Sequence, residues 1–104
     1  MSYLGKGVEE DFKEAVKWNQ KAADQGDAMA QTSCAVMYYK GEEVEQNYVT
    51  AYAWCNIAVT NGGEVAKEDK SIFAKEMDPE QIAEAEELVK EMIKKNPKLI
   101  IKKG

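Results

Sequence analysis

Apolar side chains recur every three or four residues along most of the chain, which is the spacing of one face of an α-helix. Such stripes predict helices that follow Asp11 and Asn47, and helices over residues 28–40 and 64–77. The clearest stripe predicts a last helix over residues 79–95 and consists of Ile82, Ala85, Leu88, Val89, Met92 and Ile93. We therefore expect an all-α fold.

Residues that start and stop helices accompany these stripes. Asp11 and Asn47 are N-cap candidates, and Glu14 stands at the capping-box spacing from Asp11. Gly26 is expected to end the helix that follows Asp11, and Gly62 the helix that follows Asn47. A glycine in the left-handed conformation is common at the C-terminal end of a helix. These signals predict where each of the two helices begins and ends.

The remaining boundaries are also visible in the sequence. Glycine-containing loops are predicted at residues 5–8 and 41–44, and Asp27 is expected to start the helix that follows it. The segment 78–81, Asp-Pro-Glu-Gln, supplies an N-cap, a proline at the first helical position and a glutamine at the third. Residues 96–97, Asn-Pro, are expected to end the last helix.

The pattern repeats after 36 residues. At this offset residues 1–30 and 37–66 share ten identical positions, against about two for random pairing. The pairs are Met1/Met37, Tyr3/Tyr39, Gly5/Gly41, Val8/Val44, Glu9/Glu45, Ala15/Ala51, Trp18/Trp54, Ala22/Ala58, Gly26/Gly62 and Ala30/Ala66. Because even the two tryptophans fall in register, we conclude that the chain is built from repeats of one helical unit.

Composition limits the function further. A chain of 104 residues has room for one domain, and its 44% hydrophobic content is too high for intrinsic disorder. The net charge is -5 and paired lysines occur only at residues 94–95 and 102–103, so we expect no nucleic-acid partner. No apolar run is long enough for a membrane span. The lack of a leader peptide at Met1 favours a cytoplasmic over a periplasmic location, although the compartment stays open.

The repeat resembles that of the Sel1-like family, which is related to the tetratricopeptide proteins. The resemblance rests on the spacing of Tyr38, Gly41, Val44, Asn47, Ala51, Trp54, Ala58 and Gly62. Residues 77–85 are similar to the C-terminal capping segment of bacterial members. The resemblance implies a right-handed superhelix of antiparallel helix pairs, with about 2.5 repeats of 36 residues and a C-terminal capping helix.

The same resemblance implies a division of the chain. Residues 1–95 would form the repeat domain, followed by a tail at 96–104. The repeats would be a partial one (1–27), a full one (28–63) and a divergent capping one (64–95). The tail carries Leu99, Ile100 and Ile101, which are expected either to fold back onto the last helix or to stay disordered.

Two departures from the family pattern affect this interpretation. Cys34 and Ala35 stand where the first helix of a pair, the A helix, normally has Leu-Gly, and alanine is small enough to keep the helices close. The chain also begins where only the last turn of a first A helix would lie. The first B helix, the second helix of its pair, is therefore expected to lack part of its usual cover.

We find no signature of catalysis in the sequence. Histidine, the commonest general base and metal ligand, is absent. Acidic neighbours such as Glu86 and Glu87 do not converge on a helix. Cys34 and Cys55 are expected to be buried thiols, with a bridge between their helices as the alternative, and two cysteines alone do not form a zinc site. We therefore predict no catalytic or metal-binding residue, no cofactor and no enzymatic activity.

The resemblance instead implies a scaffold or adaptor that binds a protein or peptide. In such solenoids the A helices line the concave face. Side chains that are predicted to point there are the candidate binding residues: Tyr3, Met29, Thr32, Val36, Tyr39, Lys40, Glu68, Ile72 and Lys75. The alternative is a self-associating structural or regulatory subunit, a homodimer in which Phe12, Ala15 and Trp18 of the uncovered first B helix form the interface.

Overall fold

The structure, a computed structural model, describes residues 6–42 and 44–101, and of residues 6–13 it describes the main chain alone. This part of the chain contains five α-helices, a short 3₁₀ helix and no β-strand, so the all-α prediction is confirmed. The elements are α1 (Lys6–Asp24), α2 (Ala28–Lys40), α3 (Tyr48–Thr60), α4 (Glu64–Lys75), α5 (Pro79–Lys95) and the 3₁₀ helix Pro97–Leu99.

Side-chain caps start three of the five helices at the predicted residues. The Asp27 carboxylate accepts hydrogen bonds from the main-chain N–H groups of Met29 and Ala30. The Asn47 side chain accepts one from the Thr50 N–H. Asp78 opens α5 with a complete capping box, since its carboxylate accepts from the Gln81 N–H while the Gln81 side chain accepts from the Asp78 N–H. These predictions are confirmed.

The predicted start of α1 is wrong. This helix begins at Lys6, five residues before Asp11, so the segment predicted to be a loop at residues 5–8 is helical from Lys6 onward. Asp11 therefore lies inside the helix and does not cap it. A capping residue acts only where the chain enters a helix, and the preceding turn here is already helical.

Helix α3 is the centre of the molecule. It packs against α2 on one side and against α4 and α5 on the others. Seven of its thirteen residues are buried: Ala51, Tyr52, Ala53, Trp54, Cys55, Ile57 and Ala58. The alanines allow the neighbouring helices to approach closely, and Trp54 and Ile57 fill the space between them.

Both cysteines lie in this core as free thiols. Cys34 of α2 and Cys55 of α3 are fully buried and are not bridged to each other. They behave as small apolar side chains, which was the first of the two alternatives that the sequence left open.

The C-terminal segment folds back onto the protein, and it contacts other elements in addition to α5. Leu99 is buried, with 2% of its surface exposed. Its carbonyl oxygen accepts a hydrogen bond from Asn61 in the turn between α3 and α4, and the Asn96 side chain donates one to the carbonyl of Asp24 at the end of α1. The segment thus joins the ends of α1, α3 and α5 on one side of the repeat stack.

Candidate partner-binding site

Helices α1, α2 and α4 form a groove of two adjoining cavities, of about 310 and 290 Å³. Both cavities are lined by Thr32, Ser33 and Val65, so they are continuous. The first extends to Val16 on α1, to Val36 on α2 and to Asp69 on α4, and the second extends to Met29 and Glu64. We call this surface, defined by these eight residues together with Glu42 at its edge, the α1/α2/α4 groove.

Helical spacing explains why these side chains meet. Met29, Thr32 and Val36 are three and four residues apart and therefore lie on one face of α2. Val65 and Asp69 are likewise four residues apart on α4. The Thr32 hydroxyl donates a hydrogen bond of 2.8 Å to the Ala28 carbonyl of its own helix, so this polar group needs no partner from the groove.

Three of the candidate residues from the sequence lie in this groove. Thr32 and Val36 line the first cavity, and Met29, with 82% of its surface exposed, lines the second together with Thr32. Tyr3 lies outside the described residues.

The other candidates lie elsewhere. Tyr39 is half-buried, and its ring stacks on those of Phe73 and Tyr48 with centroid distances of 4.3 and 5.3 Å, so it contributes to packing between repeats. The remaining candidates are exposed but do not line either cavity: Lys40, Glu68, Ile72 and Lys75.

Three groove residues on α4 were missed by the sequence analysis: Glu64, Val65 and Asp69. Val65 is an isolated apolar residue in a polar first turn, and 64% of its surface is exposed. Asp69 lies one turn further on and is half-buried. The signal was present, because Val65, Asp69 and Ile72 have the four-and-three spacing of a single helix face.

The groove is acidic. Glu42, Glu64 and Asp69 line it, and none of its described lining residues is a lysine. Burial raises the pKa of the Asp69 carboxyl above its ordinary value, and the negative charge of Glu68 raises it further. The site therefore combines exposed apolar side chains with negative charge.

A second unusual surface lies on α1. Trp18 is 65% exposed there, and Ala15, which is also exposed, lines the first cavity of the α1/α2/α4 groove. The residues 36 positions later, Trp54 and Ala51, are 5% and 0% exposed. The difference arises because α3 is packed against three helices, while α1 packs mainly against α2. Of the three residues predicted to mediate self-association, the side chain of Phe12 lies outside the described residues.

The exposed tryptophan lies in a cavity of about 370 Å³ lined by side chains of α1 itself, including Lys17, Gln20 and Asp24. The Lys21 ammonium group lies 5.3 Å from the centre of the Trp18 ring, within the range of a cation–π contact. The Lys21 side chain thus lies over the Trp18 ring, but 65% of the Trp18 surface is still exposed.

Neither a metal centre nor a membrane-crossing helix is found in the described parts of the chain. No three Cys, Asp or Glu side chains in residues 14–42 and 44–101 are grouped so that they could hold a metal ion. None of the five helices combines the length with the apolar composition needed to cross a membrane.

Comparison with known proteins identifies the repeat. The model of the Sel1 repeat matches residues 1–27 and 28–63. Among solved structures, a protective antigen present in uropathogenic Escherichia coli strains, which displays an SLR fold, is 32% identical and superimposes with a TM-score of 0.72. The match covers 86% of this chain but 22% of the antigen chain, so this chain spans about a fifth of that protein. No curated protein sequence matches.

Proposed function

Because the chain belongs to the Sel1 repeat family, we propose that it is a non-catalytic scaffold that binds a protein or peptide in the α1/α2/α4 groove. Sel1 repeats generally mediate protein interactions and are typically non-catalytic.

The observation that carries this proposal is the pairing of two exposed apolar residues on successive A helices. Met29 of α2 and Val65 of α4 are 82% and 64% exposed, yet they line the same cavity. Single exposed apolar residues are common on proteins, but apolar residues that converge in a concave surface are typical of binding sites. Methionine adapts its shape to different partners, which suits a peptide-binding surface.

The test is affinity capture with quantitative mass spectrometry on three forms of the protein. The double variant Met29→Gln/Val65→Gln replaces the two most exposed large apolar side chains of the groove without adding charge. Because both positions are exposed, the fold is expected to be retained. Ala83→Gln, at an exposed position of α5, is the matched control. We expect partners that bind the wild type and the control but not the groove variant. If the groove variant retains the same partners, the proposed site is wrong.

Ile72→Gln extends this test along α4. Ile72 is 48% exposed but lies outside the two cavities. Loss of the same partners in this variant would mean that the binding surface continues beyond the groove, as the sequence-based candidate set implies. Full retention would limit the surface to the groove.

The exposure of Trp18 supports a second candidate function, self-association through α1. Two copies that pack these faces together would bury an indole ring that is 65% exposed in the single chain. Tryptophan is among the residues that contribute most to protein interfaces. We expect sedimentation equilibrium to show a dimer of the 11.6 kDa chain that weakens in Trp18→Gln and persists in the control Ala83→Gln, at an exposed position of α5. A wild type that stays monomeric at high micromolar concentration would rule this candidate out.

A further inference from the structure

The charge of the groove limits which peptides it can bind. Its lining includes the carboxylates Glu42, Glu64 and Asp69, and no described lining residue carries a positive charge. A negatively charged segment would be repelled there, because all the charged groups of the described lining have the same sign.

The groove carboxylates have no cationic partner among the described residues. The one ion pair found in the described part of the chain joins Lys90 and Glu87 on α5. The lysine next to Asp69 in sequence, Lys70, is engaged elsewhere: its ammonium group donates a hydrogen bond of 2.9 Å to the Asn56 side chain and lies 5.6 Å from the centre of the Tyr52 ring. Within the described residues, no ion pair neutralises the negative charge of the groove.

The cavities indicate which other groups the ligand carries. Apolar cavities of about 150 Å³ can hold a benzene molecule. Each of the two groove cavities is larger than this, at about 310 and 290 Å³, and exposed apolar side chains line them. Each cavity can therefore accept an aliphatic or aromatic side chain.

We propose that the α1/α2/α4 groove binds a cationic segment of a partner protein, with apolar side chains in the two cavities and lysine or arginine beside Glu42, Glu64 and Asp69. This inference rests on the proposed function and names the chemistry of its partner. Lysine and arginine can reach the carboxylates while their methylene stems cover the apolar surface between them. The charge also steers the encounter, so the association rate depends on salt.

The probe is a set of labelled peptides that share the same leucine positions and carry Lys, Gln or Glu at all other positions. Binding to the whole chain is measured by fluorescence anisotropy at low and near-physiological ionic strength. We expect the Lys peptide to bind at least about tenfold more tightly than the Gln peptide, the Glu peptide to bind most weakly, and salt to reduce the difference.

Matched variants separate the groove from the overall negative charge. Each of the single variants Glu42→Gln, Glu64→Gln and Asp69→Asn is expected to lower the affinity for the Lys peptide about two- to fivefold. The triple variant is expected to lower it further. The control triple variant Glu80→Gln/Glu84→Gln/Glu91→Gln removes the same charge from exposed positions on α5 and is expected to have little effect.

The outcomes distinguish this inference from the function on which it rests. The proposal of a cationic ligand would be overturned if the Lys and Gln peptides bound equally tightly. It would also be overturned if the two triple variants lost the same affinity for the Lys peptide. If Met29→Gln/Val65→Gln nevertheless lowers the affinity for the Gln peptide, the groove is still supported as an apolar peptide-binding site. If no peptide responds to Met29→Gln/Val65→Gln, both proposals fail.

Discussion

The side-chain amide of Gln31 donates a hydrogen bond of 2.9 Å to the main-chain carbonyl of Leu99, 68 residues further along the chain. Gln31 is the one polar residue with a fully buried side chain among the described residues. Its amide nitrogen also donates to the Ala23 carbonyl, and its amide oxygen accepts from the Asn61 side chain. This network ties the C-terminal segment to α1, to α2 and to the turn after α3.

Replacing Gln31 tests how much this network stabilises the fold. Gln31→Met keeps the approximate size of the side chain but removes its donors and its acceptor, which leaves the Ala23 carbonyl without this partner in the core. We expect the free energy of unfolding to fall by about 1–3 kcal/mol. Urea denaturation followed by circular dichroism measures this. The control Gln25→Met, at an exposed position, should change it by less than about 0.5 kcal/mol. Equal unfolding midpoints for both variants would mean that the network contributes nothing.

A pair of glycines tests the packing of the C-terminal segment. Gly26 and Gly62 both have positive φ angles, 99° and 90°, so alanine is strained at either position. A Cβ atom at Gly26 would also lie 2.7 Å from the Ile101 side chain and 2.8 Å from the Lys98 carbonyl, whereas one at Gly62 would have no neighbour within 4 Å. We expect Gly62→Ala to cost about 1–2 kcal/mol of unfolding free energy and Gly26→Ala to cost more.

Hydrogen–deuterium exchange identifies the cause of the difference. The Ile101 N–H donates to the Asn61 side chain, so displacement of the segment should speed exchange at residues 96–101 in Gly26→Ala but not in Gly62→Ala. Equal stability losses with equal protection of this segment would show that the close approach at Gly26 is not important.

Local signals in the sequence predicted most of the helical fold. The bounds of α2 and α5 agree with the structure because Asp27 and Asp78 cap them by hydrogen bonds to residues two or three positions away. The start of α1 could not be predicted in this way. Glycine or aspartate inside a helix costs about 1 kcal/mol or less relative to alanine, so neither Gly7 nor Asp11 prevents α1 from starting earlier, at Lys6.

The buried network could not be predicted from the sequence. Gln31 depends on Leu99, and nothing local connects residues so far apart. The repeat does not help either, because the residue 36 positions after Gln31 is Lys67, which is exposed. The groove was predictable in part. The spacing on α2 predicted that Thr32 and Val36 line it, whereas the position of Val16 of α1 in the groove depends on how this helix packs on α2.

The two equivalent tryptophans should differ sharply in their contribution to stability. Trp54→Ala leaves a cavity in the core, and we expect a loss of about 3–5 kcal/mol in the free energy of unfolding. Trp18→Ala removes a side chain that is 65% exposed, and we expect a loss below about 1 kcal/mol. Urea denaturation at low micromolar protein separates the two effects from any self-association. Similar losses would mean that α1 is covered in solution even in the single chain.

The two buried thiols predict a decrease in stability at alkaline pH. Burial raises the pKa of Cys34 and of Cys55 from the ordinary value of 9.0 to about 12, with smaller contributions from Asp24 and Asp69 respectively. Below pH 9 the thiols are neutral in both the folded and the unfolded chain, so their stabilising contribution is fully present. Between pH 9 and pH 12 the unfolded chain ionises first, and the contribution is progressively lost. We expect the unfolding free energy of the wild type to decline more steeply over this range than that of Cys34→Ala/Cys55→Ala, in which the tyrosines still titrate but the thiols are absent.

The folded wild type should also resist iodoacetamide at neutral pH until urea unfolds it, because the thiolate is the reactive form. Identical alkaline profiles, or rapid alkylation of the folded protein, would contradict the burial of these thiols.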